Sequence, residues 1–167
     1  MGHVWLIGMM GSGKSTVGRL VADRLGRPFY DIDDLVEQTG RASIAELFAL
    51  EGELRFRERE KRAVADVATR PAGVVATGGG IVLDPDNVAT MRSSGKTVLL
   101  AVDPEVLSRR IGDSEDRPLL TNGKDERLHT IAMERDERYR SSADAVVDAT
   151  GSIDAVVTDV EAACRES

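Results

Sequence analysis

Short apolar runs alternate with longer amphipathic stretches along the chain. Five of these runs have the length and composition of buried strands: HVWLIG, PFYDID, GVVATGG, TVLLAVD and DAVVDAT. Helical spacing lies between them, most clearly after the first run, where Val17, Leu20, Val21 and Leu25 recur on one face and Gly26 follows as a C-cap. This alternation predicts a three-layer α/β/α domain around a five-stranded parallel sheet. Ligands of such sheets bind at the carboxyl ends of the strands, so the residues there are the first candidates for chemistry.

The first of these strand ends carries a phosphate-binding pattern. Gly8, four further residues and then Gly13-Lys14-Ser15 complete the motif G-x-x-x-x-G-K-[ST] between a predicted strand and a predicted helix. Glycines let the loop curl so that backbone N–H groups converge on an anion, and the helix N-terminus adds positive potential. The predicted ATP-binding residues of the loop are Gly11, Ser12, Gly13, Lys14, Ser15 and Thr16. Lys14 is expected to reach the β- and γ-phosphates, and the Ser15 hydroxyl is the expected protein ligand of Mg²⁺.

The length and net charge of the chain limit the classes of protein to which it can belong. The 167 residues fit one domain, 1–167, and the net charge of −7 argues against a general nucleic-acid surface. Cys164 is the single cysteine, so no intrachain disulfide can form, as in proteins of a reducing compartment. The first strand begins at about residue 3 and no apolar run has membrane-spanning length, so we expect neither a leader nor a membrane anchor. A cytoplasmic monomer is the expectation.

Carboxylates follow the second apolar run. If the strand extends through Asp31 and Asp33, their side chains project to the same side, where one supports Mg²⁺ and the other accepts or orients the proton of an attacking hydroxyl. Strand-end capping is the alternative role for this pair. Asp34, with Glu37 three residues later, is predicted to be the N-cap of the following helix.

Three successive glycines, Gly78, Gly79 and Gly80, follow the third apolar run. Such a run loses much conformational entropy on folding, which favours a place where backbone approaches a ligand closely. We interpret it as a backbone shelf for a small substrate, with a tight turn as the alternative.

Arginines supply the candidate cationic groups. The helical stretch ELRFRERE carries Arg55, Arg57 and Arg59, and composition does not decide which of them faces the crevice. The polar segment of about 112–126 has the composition of a mobile lid or of a passive surface loop. Arg117 within it is the natural candidate for a residue that supplies charge to a transferring phosphoryl group.

In combination, these landmarks closely resemble shikimate kinases, P-loop NTPases of the nucleoside-monophosphate-kinase-like fold. The matching stretches are GMMGSGKST, DIDD, SIAELFALEGELRFRERE, TGGG, RPLL and ERDERY, in family order and over nearly the whole chain. The resemblance implies transfer of the ATP γ-phosphoryl to the 3-hydroxyl of shikimate, in aromatic amino-acid biosynthesis. It also implies Mg²⁺ as cofactor, ATP and shikimate as the binding partners, a substrate-binding region of about 31–60 and a lid of about 112–126.

Residue roles are implied by the same resemblance. The implied catalytic residues are Lys14, Asp33 and Arg117. The implied shikimate-binding residues are Asp33, Arg57, Gly78, Gly79, Gly80 and Arg135. Ser15 is implied as a metal ligand, with Asp31 supporting the metal through water, while Arg110 and Arg117 are implied to contact ATP.

One region departs from the family pattern, and three rival functions stay open. Many relatives carry a basic residue and a proline in the loop after the last strand, where this chain reads DATGSIDAVV, so no adenine contact is assigned there. The rivals are a gluconate kinase, a nucleoside-monophosphate kinase and a nucleotide-binding regulator without transfer activity.

Overall fold

The computed structural model describes residues 1–111 and 124–166, and its centre is one parallel sheet. The five strands are β1 (His3–Ile7), β2 (Phe29–Asp31), β3 (Val74–Ala76), β4 (Gly95–Ala101) and β5 (Ala145–Asp148). They pair in the order β2-β3-β1-β4-β5, with every neighbouring pair parallel. The predicted five-stranded parallel sheet is confirmed.

Helices occupy the connections between the strands, and a further helix follows β5. They are α1 (Lys14–Leu25), α2 (Ile32–Gly40), α3 (Ile44–Ala68), α4 (Pro85–Ser94), α5 (Pro104–Ile111), α6 (Lys124–Ser142) and α7 (Ile153–Arg165), and a short 3-10 helix spans Ile81–Leu83. Gly26 ends α1 in the left-handed region at φ 62°, as the spacing predicted. Among the residues described, no helix has the length and apolar character needed to cross a membrane.

Two apolar layers cover the two faces of the sheet. Alternation along β1 sends Trp5 and Ile7 to one face, with α3, α4 and α6, and sends Val4 and Leu6 to the other face, with α1 and α7. All four side chains are buried, and complete burial of such a side chain stabilises the fold by about 1.5–3 kcal/mol. The central strand β1 is therefore packed on both of its faces, and the loop that follows it begins at a buried strand end.

Helix α3 consists of two segments that meet at Gly52. This residue has φ 81° and ψ 171°, outside the helical region. The rings of Phe48 and Phe56 pack across the break with centroids 4.5 Å apart. On the outer side the Arg59 guanidinium donates twice to Glu51, at 2.7 Å each, so an apolar contact and a bidentate ion pair both span the break.

Candidate active site

The loop between β1 and α1 has the geometry of an anion nest. Gly11 and Gly13 lie at φ 81° and 94°, a region that L side chains rarely adopt, and α1 begins at Lys14 directly after them. The Ser12 N–H donates to the Met9 carbonyl at 3.1 Å and tightens the curl. Strand, glycine loop and helix therefore follow each other as the phosphate-binding motif requires, which confirms the predicted context of the motif.

Lys14 is held inside this loop. Its ammonium donates to the carbonyl oxygens of Gly8 at 2.7 Å and Met9 at 2.8 Å, and only 7% of the residue is exposed. The Ser12 hydroxyl lies 3.4 Å from the same nitrogen. The positive charge is therefore concentrated where the backbone N–H groups converge, which is the position that a bound polyphosphate needs.

Ser15 and Asp31 form an oxygen pair at the start of α1. The Ser15 hydroxyl donates to Asp31 Oδ2 at 2.6 Å, although the two residues are far apart in sequence. Hydroxyl and carboxylate oxygens are ligands that Mg²⁺ prefers, and it is usually bound by few protein groups together with phosphates and water. In the described part of the chain, no group of three or more His, Cys, Asp or Glu side chains that could hold a metal occurs.

The structure corrects the predicted geometry after β2. The strand ends at Asp31, and Ile32 already begins α2, so Asp33 lies in the first turn of a helix and not on the strand. Asp31 is the N-cap: its Oδ1 accepts from the N–H groups of Asp33 at 3.0 Å and Asp34 at 3.4 Å. The prediction that Asp34 caps the helix was wrong, because this side-chain turn starts the helix earlier. Asp31 thus serves both as a helix cap and as the partner of Ser15.

The triple-glycine turn is the point where distant segments meet. A Cβ at Gly78 would lie 2.7 Å from Glu60 Oε2 and 3.1 Å from Asp33 Oδ1. A Cβ at Gly80 would lie 2.4 Å from both terminal nitrogens of Arg57. Both glycines have ordinary φ values, so they are needed because charged side chains approach the backbone closely, not because of a left-handed conformation.

The middle glycine of the turn joins this cluster to the phosphate loop. A Cβ at Gly79 would lie 3.4 Å from the backbone nitrogen of Met10, 3.6 Å from Arg135 Nη1 and 3.8 Å from the Gly8 carbonyl. The turn is therefore in contact with the nucleotide side and with the arginines at once. The structure brings Asp33, Arg57 and Arg135 together around it, and these are three of the residues that the family resemblance implies for the acceptor.

A buried ion pair orients Arg57. Its Nη1 donates to Glu60 Oε1 at 3.0 Å, an i,i+3 pair within the helix, and Nη2 lies 3.5 Å from Glu53 Oε1. Glu60 is 1% exposed, and its Oε2 has no hydrogen-bond partner within residues 1–111 and 124–166. Burial raises the pKa of this carboxyl above its usual value, while the Arg57 charge opposes the rise. The pair holds the guanidinium against Gly80 in a weakly solvated place.

Arg135 reaches the same place from α6. It is 8% exposed, and its Nη1 lies buried without a hydrogen-bond partner among the residues that the structure describes. Leaving such a donor unpaired inside a protein is costly. An anionic group bound beside Gly79 would satisfy it.

Sequence reasoning missed Tyr139. The residue is 3% exposed, and its hydroxyl donates to the Gly79 carbonyl and lies 3.6 Å from Met9 Sδ. A signal was available, because Tyr139 follows Arg135 by four residues and shares its face of α6.

The remaining predicted contacts lie beside the loop after β5 or outside the described residues. Arg110 Nη2 donates to the carbonyl of Ala149 at 2.8 Å and lies 3.3 Å from that of Thr150, so this arginine is anchored to the loop that lacks the family's basic residue and proline. Arg117 and nearly all of the predicted lid lie outside the described residues.

Fold and site together define a P-loop phosphotransferase, with a nucleotide loop facing a buried cluster of arginines and carboxylates. A family model described as shikimate kinase matches residues 10–165, and the chain belongs to the shikimate kinase family. A shikimate kinase of Moorella thermoacetica is 47% identical over 156 residues, which cover 93% of this chain and 90% of the relative.

Solved structures agree with the family assignment. A shikimate kinase from Acinetobacter baumannii in complex with shikimate superposes with a TM-score of 0.90 at 31% identity, over 99% of this chain and 96% of that one. A gluconokinase from Sinorhizobium meliloti reaches a TM-score of 0.61 at 18% identity, over 96% of this chain and 90% of that one, and shows only that the fold is shared.

Proposed function

We propose that this chain transfers the γ-phosphoryl group of ATP to the 3-hydroxyl of shikimate, giving ADP and shikimate 3-phosphate in chorismate biosynthesis. Family membership supports the activity. The observation that carries the site assignment is the position of the Gly78–Gly80 turn, which contacts the phosphate loop at Gly79 and contacts Arg57 and Asp33 at its two ends. Donor and acceptor then lie on either side of one turn.

The nucleotide side consists of the loop, the start of α1 and one oxygen pair. Backbone N–H groups from Gly11 to Thr16 and the Lys14 ammonium bind the phosphates. Ser15 and Asp31 fit Mg²⁺ as a hydroxyl ligand and a carboxylate that supports the metal through water. The bound cation would neutralise charge that develops on the phosphates, and Lys14 adds to this from inside the loop.

The acceptor side consists of two arginines, one carboxylate and the turn. Arg57 and Arg135 bind the shikimate carboxylate, since a guanidinium matches a carboxylate with two parallel hydrogen bonds. This role is supported by Arg135 Nη1, which has no hydrogen-bond partner in the described part of the chain, and by the anchoring of Arg57 to Glu60. Asp33 holds the acceptor hydroxyl, and Gly78, Gly79 and Gly80 present backbone to the ring.

The reaction needs positioning and charge more than covalent catalysis. The acceptor oxygen forms a bond to the γ-phosphorus while the bond from that phosphorus to the bridging oxygen of ADP breaks. The hydroxyl proton leaves toward Asp33, which is the group placed to accept it or to align it. By the family pattern Arg117 closes onto ATP from the lid of about 112–126, and Arg110, anchored at Ala149, lies against the adenine.

Acceptor-dependent ADP release tests the proposal. Purified protein with Mg-ATP should release ADP rapidly with shikimate and at background rates with gluconate, AMP or CMP. Preference for gluconate or for a nucleoside monophosphate would replace the acceptor assignment. ATP binding without turnover on any acceptor would support a regulatory protein instead. Omission of Mg²⁺, with EDTA present, should abolish release and a Mg²⁺ supplement should restore it.

Two further expectations belong to this proposal. We propose a cytoplasmic monomer; a single cysteine, Cys164, is typical of proteins in a reducing compartment. Light scattering on a sizing column would give a mass near 18.0 kDa for a monomer, and a mass of about twice that value would contradict it.

A further inference from the structure

Tyr139 lies where the acceptor turn, the phosphate loop and α6 meet. Its hydroxyl donates to the Gly79 carbonyl and lies 3.6 Å from Met9 Sδ. Burial raises the pKa of this phenol above its ordinary value, so the hydroxyl keeps its proton and acts as a donor. The proposed phosphoryl transfer does not use this group directly.

A hydrogen bond from a side chain outside the Gly78–Gly80 turn holds part of the turn's backbone in place. Three successive glycines restrict the backbone weakly, so a peptide plane among them turns at little steric cost. The Ile81 N–H donates to the Gly78 carbonyl at 3.2 Å and constrains the first of these peptides. The peptide between Gly79 and Gly80 is held by Tyr139 instead.

Holding this carbonyl also directs an N–H group. The chain has no cis peptide among the described residues, and in a planar trans peptide the C=O and the following N–H point in opposite directions. With the Gly79 carbonyl turned to Tyr139, the Gly80 N–H points away from it. Gly80 itself lies against the Arg57 guanidinium, and Gly79 lies near Arg135 Nη1.

We propose that Tyr139 is a positioning residue: its hydroxyl sets the orientation of the Gly79–Gly80 peptide so that the Gly80 N–H faces bound shikimate. This inference rests on the proposed function. A phenylalanine would fill the same space without a donor, leaving the Gly79 carbonyl without a partner among residues 1–111 and 124–166 and the peptide free to turn. We expect this loss to weaken the binding of shikimate and not of ATP, because other groups make the nucleotide contacts.

The chain offers a matched control in its only other tyrosine. Tyr30 also donates its hydroxyl to a backbone carbonyl, that of Pro71 at 3.0 Å. Tyr139→Phe and Tyr30→Phe therefore remove the same group and the same kind of hydrogen bond, one at the turn and one away from it. Steady-state ADP release would be measured for both variants and the unchanged chain, with each substrate varied in turn.

We expect Tyr139→Phe to raise the KM for shikimate about tenfold, equivalent to about 1.4 kcal/mol, and to leave the KM for ATP within about twofold. Tyr30→Phe should change neither constant. A shikimate KM within about twofold of the unchanged chain, or equal rises for both substrates, would overturn the inference. If the unchanged chain shows no shikimate-dependent release, the proposed function fails and the inference fails with it. If the unchanged chain is active and Tyr139→Phe keeps the same shikimate KM, the inference alone is refuted.

Nuclear magnetic resonance of the glycine amides gives a second test that does not depend on the activity of Tyr139→Phe. In ¹⁵N-glycine-labelled protein, shikimate should shift the Gly80 amide resonance of the unchanged chain. In Tyr139→Phe that resonance should already be displaced before shikimate is added, while the amide of Gly73, which donates to His3 Nδ1 at 3.1 Å, should not move. If neither shikimate nor the substitution changes the chemical shift of the Gly80 amide, the positioning role is refuted.

Discussion

Gly80→Ala is a sharp test of the acceptor side, because the new methyl group would collide with one functional group. Gly80 has φ −96° and ψ 8°, a conformation open to alanine, so the backbone is not strained. The added Cβ would lie 2.4 Å from both Nη atoms of Arg57 and 2.5 Å from Cζ. Ordinary contact begins at 3.4 Å, so the guanidinium must retreat by roughly 1 Å.

That displacement is large compared with the tolerance of a hydrogen bond. The Arg57–Glu60 bond is 3.0 Å long, and a bidentate bond to a substrate carboxylate tolerates little misalignment. Losing one hydrogen bond to a charged group costs about 1.5–3 kcal/mol. Affinity for shikimate should therefore fall about 10- to 150-fold.

Calorimetric titrations with shikimate and with Mg-ADP would measure the effect. Affinity for Mg-ADP should stay within about twofold, since the three atoms nearest to the new methyl group all belong to Arg57 and none to the phosphate loop. Gly151→Ala is the control for shikimate affinity: at this exposed glycine, no atom of the residues that the structure describes lies within 4 Å of the position of a Cβ. Unchanged shikimate affinity in Gly80→Ala, or equal losses for both ligands, would refute the assignment of Arg57 to the acceptor.

Three further predictions address the same cluster. Arg57→Lys exchanges a planar fork for a point charge, so shikimate affinity should fall roughly tenfold or more while ATP affinity changes little, as measured by titration; equal losses would contradict the role. Asp33→Asn should lower kcat by about 10²- to 10⁴-fold with an unchanged melting temperature, and a near-normal rate would mean that Asp33 is neither base nor essential orienter. The pKa of Glu60 is raised in the folded chain, so the folded state binds the proton more tightly than the unfolded state. This proton binding stabilises the fold fully when the pH lies below the pKa of Glu60 in the unfolded chain, and the stabilisation is lost as the pH rises through the pKa of Glu60 in the folded chain. Urea titrations from about pH 4 to about pH 8 should show this decline in the free energy of unfolding for the unchanged chain and not for Glu60→Gln. Parallel profiles for both proteins would contradict it.

Local patterns were sufficient for the sheet and the phosphate loop. Each strand is a short apolar run with polar or glycine residues beside it, and burial in a two-sided parallel sheet requires that pattern. The motif from Gly8 to Ser15 combines φ values, charge and helix start within one contiguous stretch, so sequence spacing determines it almost completely.

The acceptor side was harder to predict because its contacts are long-range. In ELRFRERE, Arg59 pairs with Glu51 across the Gly52 break while Arg57 turns inward to Glu60, and this division depends on where the helix is interrupted. The start of α2 depends on one Asp31 side-chain turn that competes with strand extension. Tyr139 reaches the glycine turn from a helix 60 residues later in the chain, so its spacing from Arg135 indicates the helix face it occupies but not its partner.

The most direct test of the account is a crystal structure of the chain with Mg-ADP and shikimate bound together. We predict ADP phosphates in the loop around Lys14, the shikimate carboxylate on Arg57 and Arg135, and the 3-hydroxyl beside Asp33 in line with the β-phosphate. Shikimate bound on another surface, or its carboxylate turned away from both arginines, would contradict the proposed reaction.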